Sequence, residues 1–203
     1  MKHIYQAGSN PNAPVLLLLH GTGGTERDLL GVAQHIDAEA SILSVRGNVL
    51  ENGMPRFFRR LAEGVFDIED LKLRTEELKS FIAGAAEQYG FDRHNVVAIG
   101  YSNGANIAAS LMFHDKDVLA GAMLHHPMVP LRDLQLPDLS AVKVFIAAGD
   151  NDPICPPQET NELNELLTGA GASVELLWES YGHQLSRSEI EAAKAWYRKM
   201  FRS

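Results

Sequence analysis

Val96-Val97-Ala98-Ile99-Gly100-Tyr101-Ser102-Asn103-Gly104-Ala105 decides how the rest of the chain is read. Its first four residues form a strand-sized apolar run, and a helix-patterned stretch, Asn103–Phe113, follows at once with Ala105, Ala108 and Ala109. Between them, Gly100 to Gly104 has the form G-x-S-x-G. A serine on a sharp strand-to-helix turn exposes its hydroxyl, and flanking glycines let strand and helix approach without Cβ clashes. The bare pattern also fits a glycine-rich turn with an ordinary exposed serine. The strand before and the helix after favour a nucleophile at Ser102.

Outward from this turn, short apolar runs alternate with longer helical patterns. Strands are expected at Val15–Leu19, Ser41–Val45, Val96–Ile99, Leu119–Leu124, Val142–Ala148 and Ser173–Trp178, with a polar edge strand near His3–Gln6. Most are nearly continuous apolar runs, as strands covered on both faces should be. Helices are expected at Ile68–Tyr89, Asn103–Phe113, Gln158–Thr168 and Ser188–Phe201. In the first, Leu71, Thr75, Leu78, Ile82, Ala85 and Tyr89 follow one stripe, Asp67, Glu69 and Asp70 suit its N-terminus, and Gly90 ends it. Alternating β and α units imply a mostly parallel sheet with helices on both faces. Arg46–Phe66 lacks clean periodicity and is long for a βα connection, so it reads as functional or pocket-lining. Pro127–Ala141 is too short to hold a separate lid domain. The whole chain, 1–203, reads as one domain.

A serine hydroxyl needs an adjacent base to react at neutral pH. Gly149-Asp150-Asn151-Asp152-Pro153 and Gly182-His183 each follow a strand, in the order Ser, Asp, His, where open α/β sheets gather their ligands. His20 and the pair His125-His126 also fall at strand ends, and a satisfied structural histidine is the usual role for any one of them. The place of His183 after the acid and behind a glycine favours it as general base; either aspartate could be the acid. His20-Gly21-Thr22-Gly23-Gly24 can aim a backbone N–H at developing negative charge, with the amide of Asn103 as its partner. A phosphate-cradling loop is disfavoured, because neither a Gly-Lys-Ser/Thr ending nor G-x-G-x-x-G is present.

Composition excludes other classes. The net charge is −8 and the pI near 5.4, which argues against nucleic acid as partner. No apolar run approaches the ~18 residues of a membrane span. With no signal-peptide pattern and a single cysteine, Cys155, the expected location is the cytoplasm. The histidines lack metal spacing, so neither metal nor other cofactor is expected.

Together, His20-Gly21-Thr22-Gly23, Gly100-Tyr101-Ser102-Asn103-Gly104, Asp150-Asn151-Asp152-Pro153 and Gly182-His183 resemble the phospholipase/carboxylesterase branch of the α/β-hydrolase superfamily, to which dienelactone hydrolases are close relatives. The resemblance spans nearly the whole chain. Arg46-Gly47-Asn48, Glu51-Asn52-Gly53 and Arg56-Phe57-Phe58-Arg59-Arg60 are similar to the small bacterial carboxylesterases, whereas the acyl-protein thioesterases differ there. What the resemblance implies is an α/β-hydrolase fold without a separate lid, and a carboxylesterase that forms an acyl-enzyme on Ser102. It selects Asp152, the aspartate before proline, over Asp150, and sets the backbone amides of Thr22 and Asn103 as the oxyanion hole. Homodimers are common in that family.

Other candidates carry paired readings. Gly21, Arg56, Phe57, Phe58 and Ile154 are candidate pocket residues, although Met54, Phe57, Phe58 and Phe66 could equally form a loop core. Arg56, Arg59 and Arg60 could bind a substrate carboxylate, but ion pairs with Glu63 and Asp67 are the blander reading. Cys155 reads as a packed small side chain. The rivals to a small-ester hydrolase are an acyl thioesterase or lysophospholipase, and a noncatalytic binding protein on the same fold.

Overall fold

Seven strands build the central sheet of the computed structural model, which describes residues 1–202. They are β1 (His3–Gln6), β2 (Val15–Leu19), β3 (Ile42–Val45), β8 (Val96–Tyr101), β9 (Gly121–His125), β10 (Lys143–Gly149) and β11 (Ser173–Glu179), in the order β1-β3-β2-β8-β9-β10-β11. Only β1 runs antiparallel to its neighbour; the others are parallel. Side chains of β2 show why the apolar runs are continuous. Val15, Leu17 and Leu19 point into one core, Leu16 and Leu18 into the other, and none is left to water. The terminal strand β11 pairs on one side only, and none of its side chains is fully buried.

Helices α2 (Ile68–Tyr89), α3 (Asn103–His114) and α4 (Pro157–Gly169) cover one face, and α1 (Leu30–Ile36) and α5 (Arg187–Phe201) the other. The stripe expected on α2 is real: Leu71, Thr75, Leu78, Ile82 and Ala85 are buried, Asp67 caps its start and Gly90 ends it at φ 71°. On α5, Ser186 and Glu189 form a reciprocal capping box, worth about 1 kcal/mol for such a cap. All seven expected strands and four expected helices are present, with ends moved by one or two residues. Leu119–Leu124, for example, pairs only from Gly121.

Two features lie outside the sequence expectations. Helix α1 is only seven residues long, too short to show a clear stripe. Within Arg46–Phe66 stand two small hairpins: β4 (Val49–Glu51) with β5 (Met54–Arg56), and β6 (Arg60–Ala62) with β7 (Val65–Phe66). The first turns at Asn52-Gly53, both at positive φ, the conformation a two-residue hairpin favours. Residues 126–142 hold no helix or strand, so the fold is an α/β sheet without a separate lid. Among the described residues no helix is long and apolar enough to cross a membrane.

Candidate active site

Ser102 sits where β8 hands over to α3, at φ 52° and ψ −113°, a strained backbone for a residue with a Cβ. The turn leaves no room for side chains around it. A Cβ on Gly104 would overlap the Leu19 carbonyl, and one on Gly100 would lie 2.7 Å from Ala105 Cα. The two glycines therefore allow the close crossing that holds the serine outward. The Ser102 amide donates to His125 O at 2.9 Å, tying the turn to β9.

His183 and Asp152 arrive on loops that follow β11 and β10. Gly182, at φ 65°, donates its amide to Asn151 Oδ1, and Tyr101 Oη donates to the His183 carbonyl. These bonds hold the imidazole over the serine. His183 Nε2 lies 2.9 Å from Ser102 Oγ, and His183 Nδ1 lies 2.7 Å from Asp152 Oδ2. The other Asp152 oxygen accepts the amides of Ile154 and Cys155 at 2.8 and 3.0 Å. Burial alone would raise its pKa, but those donors and His183 hold it below the usual carboxylate range. Asp150 instead accepts from Ser180 Oγ at 2.9 Å, on the exposed side of the loop.

The turn after β2 and the start of α3 face the same place. Neither the Thr22 amide nor the Asn103 amide has an acceptor among the described residues, so both donors are available. Their positions are set by the segment carrying the hairpins. Gly23 N–H donates to Pro55 O at 2.9 Å, Phe57 N–H to Asn103 Oδ1 at 2.7 Å, and Arg56 Nη1 to Thr22 Oγ1. His20 joins in: its Nδ1 donates to Gly21 O at 2.6 Å, and its Nε2 accepts the Gly47 amide at 3.1 Å. Burial lowers the pKa of His20, which suits a neutral ring with one donor and one acceptor.

A cavity of about 40 Å³ opens beside Ser102, lined among others by Thr22, Arg56, Asn103, Met128, Ile154 and Cys155. Of the expected pocket residues, Arg56 and Ile154 reach it. Phe57 and Phe58 do not; they are buried in the core between sheet and α2, the loop-core alternative. Gly21 packs against the Tyr101 ring, where a Cβ would lie 2.8 Å from it. Arg56 is 3% exposed, and its Nε donates to Phe58 O. Burial, with Arg60 adding and Glu51 opposing, draws its pKa down to about 10. Arg59 pairs with Asp67 and Arg60 with Glu51. Burial raises the Cys155 thiol well above its usual range, as for a packed side chain. A roomier cleft of about 490 Å³ lies between α1 and α5, but it contains none of these groups.

Sequence reasoning missed a second layer. Asp152 Oδ2 also lies 3.1 Å from His126 Nδ1; His126 Nε2 lies 3.3 Å from Glu189 Oε2; His125 Nδ1 lies 2.6 Å from Glu189 Oε1. The only signals available were the histidine pair at a strand end and the Ser186-x-x-Glu189 cap. His126, Asp152 and His183 offer atoms within 4.8 Å of one another, as a metal site would, but those atoms already meet as N–H donors and carboxylate acceptors.

The likeness to known proteins is extensive. The chain is 59% identical over 198 residues to the hydrolase MhqD of Bacillus subtilis (strain 168), covering 98% of each. It is 30% identical to acyl-protein thioesterase 1 of Mycosarcoma maydis over 178 residues, 73% of this chain and 72% of that one. Among solved structures, the Bacillus cereus carboxylesterase superposes with a TM-score of 0.98 at 64% identity, covering 99% of this chain and 95% of that one. Residues 7–198 match the profile of the dienelactone hydrolase family, described above as a close relative of the resembling branch. With nearly the whole sheet and every motif inside that span, the chain belongs to the dienelactone hydrolase family of α/β hydrolases.

Proposed function

We propose that the chain is a serine carboxylesterase acting on small esters through an acyl-enzyme on Ser102. One observation carries the reading: Ser102 Oγ, His183 and Asp152 stand in a continuous hydrogen-bonded line of 2.9 and 2.7 Å, starting from a strained, outward-facing serine. His183 Nε2 takes the hydroxyl proton as Ser102 Oγ attacks the ester carbonyl. The amides of Thr22 and Asn103 receive the oxyanion, and Asp152 stabilises the imidazolium. His183 then protonates the leaving alcohol, and the acyl group stays on Ser102 Oγ. In the second half, His183 deprotonates a water that attacks the acyl carbonyl, and the proton returns to Ser102 as the acid leaves.

The cavity supports a small acyl group. About 40 Å³ is room for roughly three waters, near the size of an acetyl to butyryl group. A long chain would leave its methylenes outside, forgoing ~0.8 kcal/mol for each. This favours the esterase over an acyl thioesterase; the Mycosarcoma maydis relative is named an acyl-protein thioesterase. The substrate partner is thus a small ester, with no nucleic acid, membrane or cofactor required and the cytoplasm as the site of action.

The test is fluorophosphonate labelling with hydrolysis of p-nitrophenyl esters from acetyl to palmitoyl. Ser102→Ala should lose the label, and Ser102→Ala, His183→Ala and the double variant should be about equally inactive while folded. More than a trace of activity in Ser102→Ala would end the reading. A kcat/KM that rises out to palmitoyl would favour the thioesterase, and an inert but unlabelled native protein would favour a binding role.

A further inference from the structure

His126 has a carboxylate oxygen at each ring nitrogen, Asp152 Oδ2 at 3.1 Å and Glu189 Oε2 at 3.3 Å, and its side chain is fully buried. A neutral imidazole has one N–H and one lone pair, so it would turn the lone pair onto a carboxylate oxygen. The carboxylates leave little room for a proton of their own. Asp152 already accepts two amides and His183; Glu189 already faces His125 and accepts the Ser186 amide at 3.1 Å. The arrangement is satisfied when both acids are ionised and His126 is protonated on both nitrogens.

The remaining groups around the ring do not supply a competing charge. From the end of β8, Tyr101 stands edge-on with ring centroids 6.1 Å apart; before α4, Cys155 Sγ donates to His126 O at 3.3 Å. Burial raises both the phenol and the thiol, keeping them neutral. His125, the last residue of β9 and the neighbour of His126 in the chain, lies against Glu189, its Nδ1 2.6 Å from Glu189 Oε1. From the loop before α5, His183 lies with its ring centroid 5.3 Å from that of His126. The backbone of His126 sits at φ 54°, an uncommon conformation that turns the side chain back beneath the loops. Burial pulls its pKa down, but Glu189 and Asp152 outweigh burial and raise it.

We propose that His126 is a positioning residue: a buried cation behind Asp152 that lowers the pH at which His183 can serve as base. The proposal rests on the esterase reading above and adds to it. Asp152 and Glu189 carry two negative charges and His126 one positive charge. One net negative charge is left, enough to balance a single imidazolium when His183 takes the proton of Ser102. Without His126, the positive charge behind Asp152 is gone, and His183 holds its proton to higher pH. A charge at this range moves a neighbouring titration by on the order of one pH unit.

The measurement is kcat/KM for p-nitrophenyl acetate against pH, in the native enzyme and in His126→Gln. The acid limb should move up by on the order of one pH unit, so that low-pH activity falls about tenfold while the alkaline plateau changes less. A merely structural role would lower stability or the plateau and leave the limb in place. That outcome, with the variant folded, overturns the proposal. A second readout avoids catalysis altogether: ¹⁵N spectra of histidine-labelled native protein at about pH 7, just above the ordinary imidazole value, should contain one ring with both nitrogens fully protonated. A spectrum with no such ring at that pH overturns the proposal even if His126→Gln fails to fold. Loss of the esterase reading would appear instead in Ser102 labelling, which the nitrogen spectrum does not touch.

Discussion

Two aspartates two positions apart, Asp150 and Asp152, end up in unrelated surroundings. Only Asp152 accepts the Nδ1–H of His183, so Asp152→Asn should lower kcat on the order of 10⁴-fold. Asp150→Asn removes a bond to Ser180 on the exposed side and should cost only a few-fold; steady-state kinetics on purified variants would show equal losses if the loop acted as one unit. At this scale the candidate residues are legible in the sequence where chemistry writes a local pattern. Ser102 lies between two glycines, His183 follows one, and motif order links them. The choice between the aspartates needed a family resemblance, because spacing alone suits both. His126 and Glu189 lie 63 residues apart, and no local pattern announces that they touch.

Among elements, the strands and long helices were legible because each buries a face, and burial imposes period 2 or a continuous apolar run on strands and period 3.6 on helices. The hairpins of residues 49–66 carry mostly exposed side chains and impose no such period, so they read as irregular chain. The pair Asn52-Gly53 was nonetheless a turn signal present in the sequence. Within this segment the Arg56 guanidinium donates to Thr22 Oγ1 and Phe58 O, with Glu51 3.7 Å away. Arg56→Gln should therefore lower kcat for neutral and carboxylate-bearing esters alike, by about tenfold or more, through a loosened Thr22 turn. Matched kinetics on acetyl and hemisuccinyl esters check this. A loss confined to the anionic ester would return Arg56 to substrate binding.

For the molecule as a whole, the Asp152–His126–Glu189 cluster joins the loops after β9 and β10 to the start of α5, and so links catalysis to stability. Burial would raise Glu189, but His125, His126 and the Ser186 amide pull it down from 4.5 to about 2. A carboxylate held that low stabilises the native state by on the order of 3 kcal/mol; the contribution is complete above about pH 4.5 and is lost as pH falls toward 2. His126, raised above its usual 6.5, works the other way: its contribution is complete below about 6.5 and is lost as pH rises through its folded value. Glu189→Gln should thus cost on the order of 3 kcal/mol at pH 6 and far less near pH 2.5, by urea denaturation at the two pH values. An equal loss at both would assign the effect to packing.

The hairpin segment has one more consequence, for how such an enzyme changes its diet. One part of the cavity wall, Arg56, Arg60, Glu63, Gly64 and Phe66, and the tips at Asn52-Gly53 and Glu63-Gly64 belong to one stretch of chain, whereas Ser102, Asp152 and His183 stand at the ends of sheet strands or on the loops that follow them. The stretch is fastened to the rest of the chain through a few contacts. Its tips are exposed and free to lengthen, while three bolts, Gly23 to Pro55, Arg56 to Thr22 and Phe57 to Asn103, must survive any exchange. Diversification of substrate range can proceed at the tips, with the reaction machinery inherited unchanged beneath them.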